Sequence, residues 1–412
     1  MPPVGDIRAV PTLFLIVFGD LVGFGLVIPL LPFYAVRFAA SPQEVTALVA
    51  VYSLVQLASA ALWGRLSDRV GRRPVLLASL AASALAYLWL GSATALWMLF
   101  AARAFAGACA GNIAAAQAYI ADVTGPEERA RGMGLIGAAF GLGFMIGPAL
   151  GGLLAGTDPL TADLETPAWV AAGLSFVALL GVALLLPESL PAGRREGAPS
   201  RGRLGAVVGA LRRPVLSQLI LIFFLVILAV AGMQSVFAIW AMPQFGWGPR
   251  QVGYVFAYLG LISAILQGGL IGRLTRRFGE SRLLLCGLAL IAVGLLALPF
   301  AYDMPMLGPA LTGLALGMGL MQPSLNSLIS RQAGAEEQGE VMGVSQSVGS
   351  LSRVLGPFAA GFSFAALGRD SPYFLGVLLV VIPLLLAFKL PRVGATQLAE
   401  AAPFGRESGP AR

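Results

Sequence analysis

Charge is what this sequence lacks most. Of its 412 residues only 11% are Asp, Glu, Lys or Arg, while 58% are hydrophobic. A soluble chain carries about a quarter charged residues, so the missing charge calls for a non-aqueous solvent. Histidine is absent, which removes histidine proton relays and leaves zinc without its usual nitrogen ligands. The only lysine is Lys389, so nearly all positive charge is arginine, which does not release protons in proteins. Two cysteines, Cys109 and Cys286, both fall in apolar stretches and imply no disulfide framework.

Long apolar runs are what the chain has instead. Residues 13–34, 75–90 and 374–390 carry at most one charge each, and each is near the about 20 residues that cross a hydrocarbon layer as a helix. Buried helices of a soluble core do not account for a dozen such runs. Barrel strands would alternate apolar and polar residues with period two, whereas these runs are continuously apolar and rich in Gly, Ala and Leu. The fold class predicted is an all-α membrane protein. Its twelve spans are expected at 11–35, 44–63, 74–93, 95–121, 132–155, 167–187, 214–241, 250–271, 281–301, 304–330, 341–366 and 372–390. The first is too long for a signal core and follows Asp6 and Arg8, so it reads as a retained helix.

Arginine placement sets the orientation. Arg65, Arg69, Arg72 and Arg73 follow the second span, Arg129 and Arg131 the fourth, and Arg194, Arg195, Arg201, Arg203, Arg212 and Arg213 the sixth. Arg273, Arg276 and Arg277 follow the eighth, and Arg331 the tenth; the opposite loops hold little beyond Arg37, Arg250 and Arg369. Positive loops stay cytoplasmic, which predicts a multi-pass protein of the cytoplasmic (inner) membrane with both termini inside. The net charge of +7 is thus a topology signal, and no nucleic acid is expected as a partner.

The spans divide into two halves. The polar, Arg-rich segment 188–213, broken by Pro191 and Pro199, reads as a cytoplasmic linker between six-helix bundles at 1–187 and 214–392, with a flexible tail at 393–412. An internal repeat supports this. Gly64-Arg-Leu-Ser-Asp-Arg-Val-Gly71 recurs as Gly272-Arg-Leu-Thr-Arg-Arg-Phe-Gly279 at an offset of 208. Glu127-Glu128, Gly134 and Gly147-Pro148 recur as Glu336-Glu337, Gly343 and Gly356-Pro357 at 209. Matched halves are what alternating-access transporters use.

The segment Gly64-Arg-Leu-Ser-Asp-Arg-Val-Gly-Arg-Arg73 reads as a loop between the second and third spans, with glycines allowing a tight reversal. It resembles the signature of the major facilitator superfamily, and the resemblance covers nearly the whole chain. It implies a gate that locks the outward-facing state, made of Gly64, Asp68, Gly71, Arg72, Arg73 and an acid at the end of the fourth span, here Asp122. Asp68 would meet a helix N-terminus of the other half, and Arg72 would pair with an acid. In the second copy Arg276 and Arg331 replace Asp68 and Asp122, so that copy is expected to be scaffold rather than switch.

The fifth span ends in Gly-Pro-Ala-Leu-Gly-Gly and resembles the antiporter motif of the same superfamily, with Gly143, Gly147, Pro148, Gly151 and Gly152 as its core. Small residues four apart permit close helix contact, and the proline bends the helix; such a face would seal one half against the other. With Asp20 in Gly19-Asp-Leu-Val-Gly-Phe-Gly and Tyr119-Ile-Ala-Asp-Val-Thr124, it is similar to the proton-coupled drug-efflux branch, especially tetracycline exporters.

A charge at the depth of Asp20 costs about 2.5–3.5 kcal/mol on insertion scales, and Asp20 is the only deep group able to titrate. It is the expected proton carrier. Arg103 matches the arginine of the superfamily's fourth-helix motif and is its expected partner. The substrate cavity is expected to draw on Tyr52, Gln56, Asn112, Tyr119, Gln234, Gln322, Asn326, Gln346 and Arg353. Gln346, Ser350 and Arg353 share one helical face, and Arg353 either attracts an anionic group, pairs with Asp20 or binds backbone carbonyls.

These features predict proton-coupled efflux of drugs or small amphipathic metabolites by a monomer in the bilayer. It would be driven by the proton gradient, without cofactor or metal. An importer or facilitator of sugars or other solutes is the alternative. A membrane enzyme would need a clustered nucleophile, base or metal set, which Asp20, Arg103 and Arg353 do not supply. Those exporters of metal-tetracycline that rely on an embedded histidine find no counterpart here.

Overall fold

The computed structural model of the chain describes residues 9–159, 161–190, 209, 212–332 and 337–389. Most of the expected linker and the whole expected tail at 393–412 lie outside these residues. Twelve helices are long and apolar enough to cross a membrane. They are α1 Val10–Arg37, α2 Pro42–Val70, α3 Arg72–Gly91, α4 Leu96–Val123, α5 Gly132–Ala155, α6 Glu165–Leu185, α7 Pro214–Phe245, α8 Pro249–Phe278, α9 Glu280–Phe300, α10 Met304–Arg331, α11 Val341–Leu367 and α12 Ser371–Phe388. Helices satisfy their own backbone in hydrocarbon, which is why apolar runs of this length take no other form. The protein is an all-helical, multi-pass membrane protein.

Local chemistry fixes where these helices start and stop. Ser41 and Glu44 make a reciprocal capping box at the start of α2, and Asp303 accepts from the Met306 N–H at 3.0 Å to cap α10. The segment expected to be a loop from Gly64 is helical as far as Val70, with open space around Gly64. The reversal falls on Gly71 alone, whose φ of +118° suits a residue without a Cβ. Gly279, its repeat partner, has φ +77° and separates α8 from α9 in the same way.

α4 is broken where a continuous helix was expected. It runs Leu96–Ala108, opens at 109–111, and resumes as Asn112–Val123. Two further irregularities are milder. A tight turn at Ile28–Leu30 surrounds Pro29 in α1, and a wide turn at Leu266–Leu270 includes Gly268 and Gly269 in α8.

The two six-helix sets touch through α5 against α8 and α2 against α11. We call the side where α1 begins and α12 ends the near face, and the opposite side the far face. The inter-half contacts concentrate at the far face. A Cβ on Gly152 would lie 2.8 Å from the Pro249 carbonyl, the Arg250 N–H donates to the Gly156 carbonyl at 3.0 Å, and Gly361 packs against Thr46.

Core packing follows the same division. Far-face residues of the first half, such as Leu26, Tyr34, Leu48 and Leu99, share one apolar cluster with the second half. Near-face residues of the first half, such as Leu13, Leu76, Ile120 and Ile136, form a cluster of their own. The halves are therefore closed together at the far face and parted at the near face.

Candidate functional site

At the near-face turn between α2 and α3, Arg72 donates from Nη1 to Asp68 at 2.6 Å and from Nε to Asp122 at 3.1 Å. Ser189 adds an O–H bond to Asp122 at 3.1 Å. Asp68 stays within its own half: its side chain is 58% exposed, and it does not reach a helix N-terminus of the other half. Glu188, just past α6, accepts from the N–H groups of Arg72 at 2.9 Å and Arg73 at 3.2 Å, capping α3. A Cβ on Gly71 would collide with this carboxylate, so the glycine serves both the turn and the cap. Arg73 donates to the Ala183 carbonyl at 2.6 Å. Sequence reasoning missed Glu188; its signal is an acid in the first polar residues after a span.

The second half repeats the device with its signs exchanged. Glu280 accepts from Arg331 and from the Ser327 hydroxyl. Since Glu280 stands where the repeat places Arg72, and Arg331 where it places Asp122, the second copy is an ion-paired junction. The expected loss of the acid at 331 is matched by a gained acid at 280.

The small residues of α5 serve two neighbours. Gly143, Gly147 and Gly151 lie against Leu21, Val22, Gly25 and Leu26 of α1, inside the same half. The Pro148 ring also packs on Gly25 of α1, but its carbonyl meets Gly253 of α8, and Gly152 and Met145 meet α8 at Pro249 and Gly260. Only these last contacts join one half to the other, and of the expected residues only Pro148 and Gly152 take part, which narrows the expectation for this helix.

Asp20 is 5% exposed. It accepts from the Asn112 amide of α4 and from the Ser175 hydroxyl of α6, the latter at 3.0 Å. No ion pair joins it to Arg103, so that expectation is corrected: two neutral donors satisfy the carboxylate. Arg103 instead places its guanidinium carbon over the Tyr52 ring, 4.5 Å from the centroid, and 5.8 Å from that of Phe24. Its Nε has no hydrogen-bond partner. A guanidinium on aromatic faces is stabilised by the ring quadrupole without surrendering its N–H groups.

Tyr52 is the hub of this wall. Gln56 approaches its hydroxyl at 3.4 Å, Phe24 packs on its ring at 5.2 Å, and Phe144 lies 6.0 Å from Phe24. The Tyr52 hydroxyl sits within the electrostatic reach of Arg103, Asp20 and Arg353 together.

Arg353 donates to Ser350 at 3.1 Å and to no acid among the described residues. Gln234, Gln322 and Arg353 are exposed in the middle part of α7, α10 and α11, Gln346 is exposed two turns nearer the start of α11, and Asn326 is half-buried. Polar groups at this depth avoid lipid, so they line the space that opens to the near face. Tyr119 does not. It is buried in the near-face cluster of the first half and donates to the Pro187 carbonyl at 3.1 Å. Among the described residues, no group of three or more Cys, Asp or Glu is placed to hold a metal ion.

A two-half bundle of twelve helices, with this turn and this glycine helix, matches the Major Facilitator Superfamily model over residues 13–357 and 267–406. The chain belongs to that superfamily. It is 35% identical to the class C tetracycline resistance protein of Escherichia coli, over 84% of this chain and 87% of that one. It is 28% identical to multidrug resistance protein 2 of Bacillus subtilis, over 86% and 89%. The crystal structure of the human organic anion transporter MFSD10 superposes with a TM-score of 0.69 at 26% identity, over 94% of this chain and all of that one. A bacterial homologue of the human lysosomal transporter Spinster gives 0.76 at 16% identity, covering 94% and 97%. This facilitator is a transporter of small molecules and not an enzyme.

Proposed function

We propose that this facilitator exports drugs or small amphipathic metabolites in exchange for protons, and that Asp20 carries the proton. The observation that supports this most directly is the Asp20 carboxyl itself, buried mid-span and held by neutral donors only, beside the Tyr52–Arg103 wall of the cavity. A carboxyl without a fixed counter-charge gains and loses a proton with little rearrangement of its neighbours. The tetracycline and multidrug resistance proteins at 28–35% identity favour efflux of a similar class.

The arginine distribution puts the near face in the cytoplasm, so the cavity is open inward and loads from the cell interior. Asp68 is then free of the other half because the gate is open. Closing the near face would bring it to its partner and turn the cavity outward. The carrier works as a monomer, because cavity, gate and Asp20 all lie within one chain.

Inside-out vesicles energised to an acidic interior, with a pH-sensitive dye, test this reading. Tetracycline, ethidium and a quaternary amine are added in turn to the wild type and to Asp20→Asn. Substrate-triggered proton release that disappears in Asp20→Asn is the expected result. Release that survives the substitution would take the proton from Asp20. No release with any probe from correctly folded protein would turn the reading toward facilitated transport.

A further inference from the structure

The break in α4 is built, and other helices hold it. At the opening, the Ala108 carbonyl and the Asn112 N–H lack partners within α4, while the Gly107 carbonyl accepts from Ala110 at 3.3 Å and the Cys109 carbonyl from the Gly111 N–H at 2.8 Å, a thinned ladder that is costly in a membrane interior. Side chains of two other helices complete it. Ser59 of α2 donates to Gly107 at 3.1 Å, Trp63 Nε1–H of α2 donates to Ala108 at 2.6 Å, and Ser79 of α3 donates to Cys109. The Ser79 oxygen also accepts from Gly111 at 2.9 Å and Asn112 at 3.0 Å. One fully buried hydroxyl thus closes both sides of the gap.

What stands on either side of the gap gives it meaning. The segment before it carries Arg103, stacked on Tyr52, and Gly107, which leaves no room for a Cβ against the Tyr52 backbone. The segment after it begins with Asn112, whose amide holds Asp20. Tyr52, Tyr87, Arg103 and Arg353 are the titratable or charged side chains that share the field around this carboxyl. A continuous helix would fix Arg103 and Asn112 in one rigid relation. A break lets one segment shift while the other stays, at the cost of a few hydrogen bonds.

We infer that Ser79 is a positioning residue for coupling: it holds the opened turn of α4 so that substrate on the Tyr52–Arg103 wall is registered by the Asn112–Asp20 contact. The inference rests on the proposed export reading and supplies its missing link. It differs from a plain structural role in what it predicts. Removing the Ser79 hydroxyl leaves the Arg103 wall in place and frees Asn112 from its anchor, so substrate binds but no longer commands the proton.

The test is the ratio of protons to substrate moved, measured in proteoliposomes of the full chain with whichever of tetracycline and ethidium gives the larger wild-type signal. Binding is followed in parallel by quenching of intrinsic tryptophan fluorescence. Ser79→Ala is expected to lower the ratio about fivefold or more while binding stays within about twofold of wild type, since the lost hydrogen bonds act on the coupling contact and not on the binding wall. Ser79→Thr keeps the hydroxyl and restores the ratio. Trp63→Phe keeps the ring against Gly111 but loses the bond to Ala108, and lowers the ratio in the same direction should Ser79→Ala fold poorly.

A wild-type ratio in Ser79→Ala or, where that variant does not fold, in Trp63→Phe would overturn the inference. So would parallel losses of binding, transport and thermal stability at an unchanged ratio. If the wild type itself releases no protons, the export reading fails and takes this inference with it; failure in the variants alone leaves that reading standing.

Discussion

Glu280 and Arg331 form, with charges exchanged, the junction that Arg72 and Asp122 form in the other half. Four residues at matched repeat positions keep the attraction and reverse its sense. The pairing, rather than either charge, is what the position requires. Glu280→Arg alone is expected to lower transport severalfold, and Glu280→Arg with Arg331→Glu to recover most of it. Arg331 is 43% exposed, so the pair contributes about 0.5–1 kcal/mol to stability. Drug resistance in cells and thermal unfolding of the purified variants report the two effects, and a double variant no better than the single would refute the pairing.

Gly71 and Glu188 are expected to fail together. Gly71→Ala adds a Cβ that meets the Glu188 carboxylate and imposes a φ of +118° on an L-residue, a strain of about 1–2 kcal/mol before the lost cap is counted. Glu188→Gln keeps the shape, weakens the cap and costs less. Unfolding temperatures in the order wild type, Glu188→Gln, Gly71→Ala are the outcome to look for.

The two faces of α5 separate stability from state. Gly147→Leu drives a side chain into α1 and is expected to destabilise the first half by about 1–3 kcal/mol. Gly152→Leu wedges α5 from α8 instead and opens the far face. Thr46, fully buried against Gly361, reports this as Thr46→Cys in a background lacking Cys109 and Cys286. Labelling by a membrane-impermeant maleimide from the far side should rise about tenfold with Gly152→Leu and not with Gly147→Leu, corresponding to about 1.4 kcal/mol of population shift. Equal labelling in both would refute the division.

Asp163, in the far-face loop before α6, gives a pH signature. Burial alone would push its carboxyl up. Hydrogen bonds from the Thr166 hydroxyl (2.6 Å) and N–H (2.9 Å), the Glu165 N–H (3.1 Å) and the field of Arg37 outweigh that and hold it below the usual range. A folded-state value below the unfolded one means the stabilisation is complete above the unfolded value, about 3.9, and is lost as pH falls through the folded one. Asp163→Ala should unfold at lower temperature than wild type at pH 7, by a cap's worth of about 1 kcal/mol. The gap should narrow on acidification below about pH 4, as calorimetry would record.

How much of this was legible in the sequence depends on how local each cause is. The twelve spans follow from apolar runs, and the two halves from the recurrence of Gly64–Gly71 at 272–279. The helical extension from Gly64 to Val70 was hidden because polar residues end a hydropathy plot without ending a helix. The opening in α4 was hidden because Ser59, Trp63 and Ser79, from two other helices, decide it. Charge complementarity pointed from Asp20 to Arg103, yet geometry gave Asp20 the amide of Asn112 and the hydroxyl of Ser175. Serine is common in membrane helices, and nothing in its spacing sets Ser175 apart. Glu280 escaped notice because a repeat is searched for by identity, and here the repeated property is an attraction.

Both groups that hydrogen-bond Asp20 come from the first half, Asn112 on α4 and Ser175 on α6, whereas Gln234, Gln322, Gln346 and Arg353 stand on the second. On the proposed reading the first half thus carries the proton and one wall of the cargo space, and the second half supplies the opposite wall. A lineage meeting a new toxic compound would then have α7, α10 and α11 to alter without touching the proposed proton carrier, and recombination near the junction of the halves would exchange one cavity wall while keeping the other.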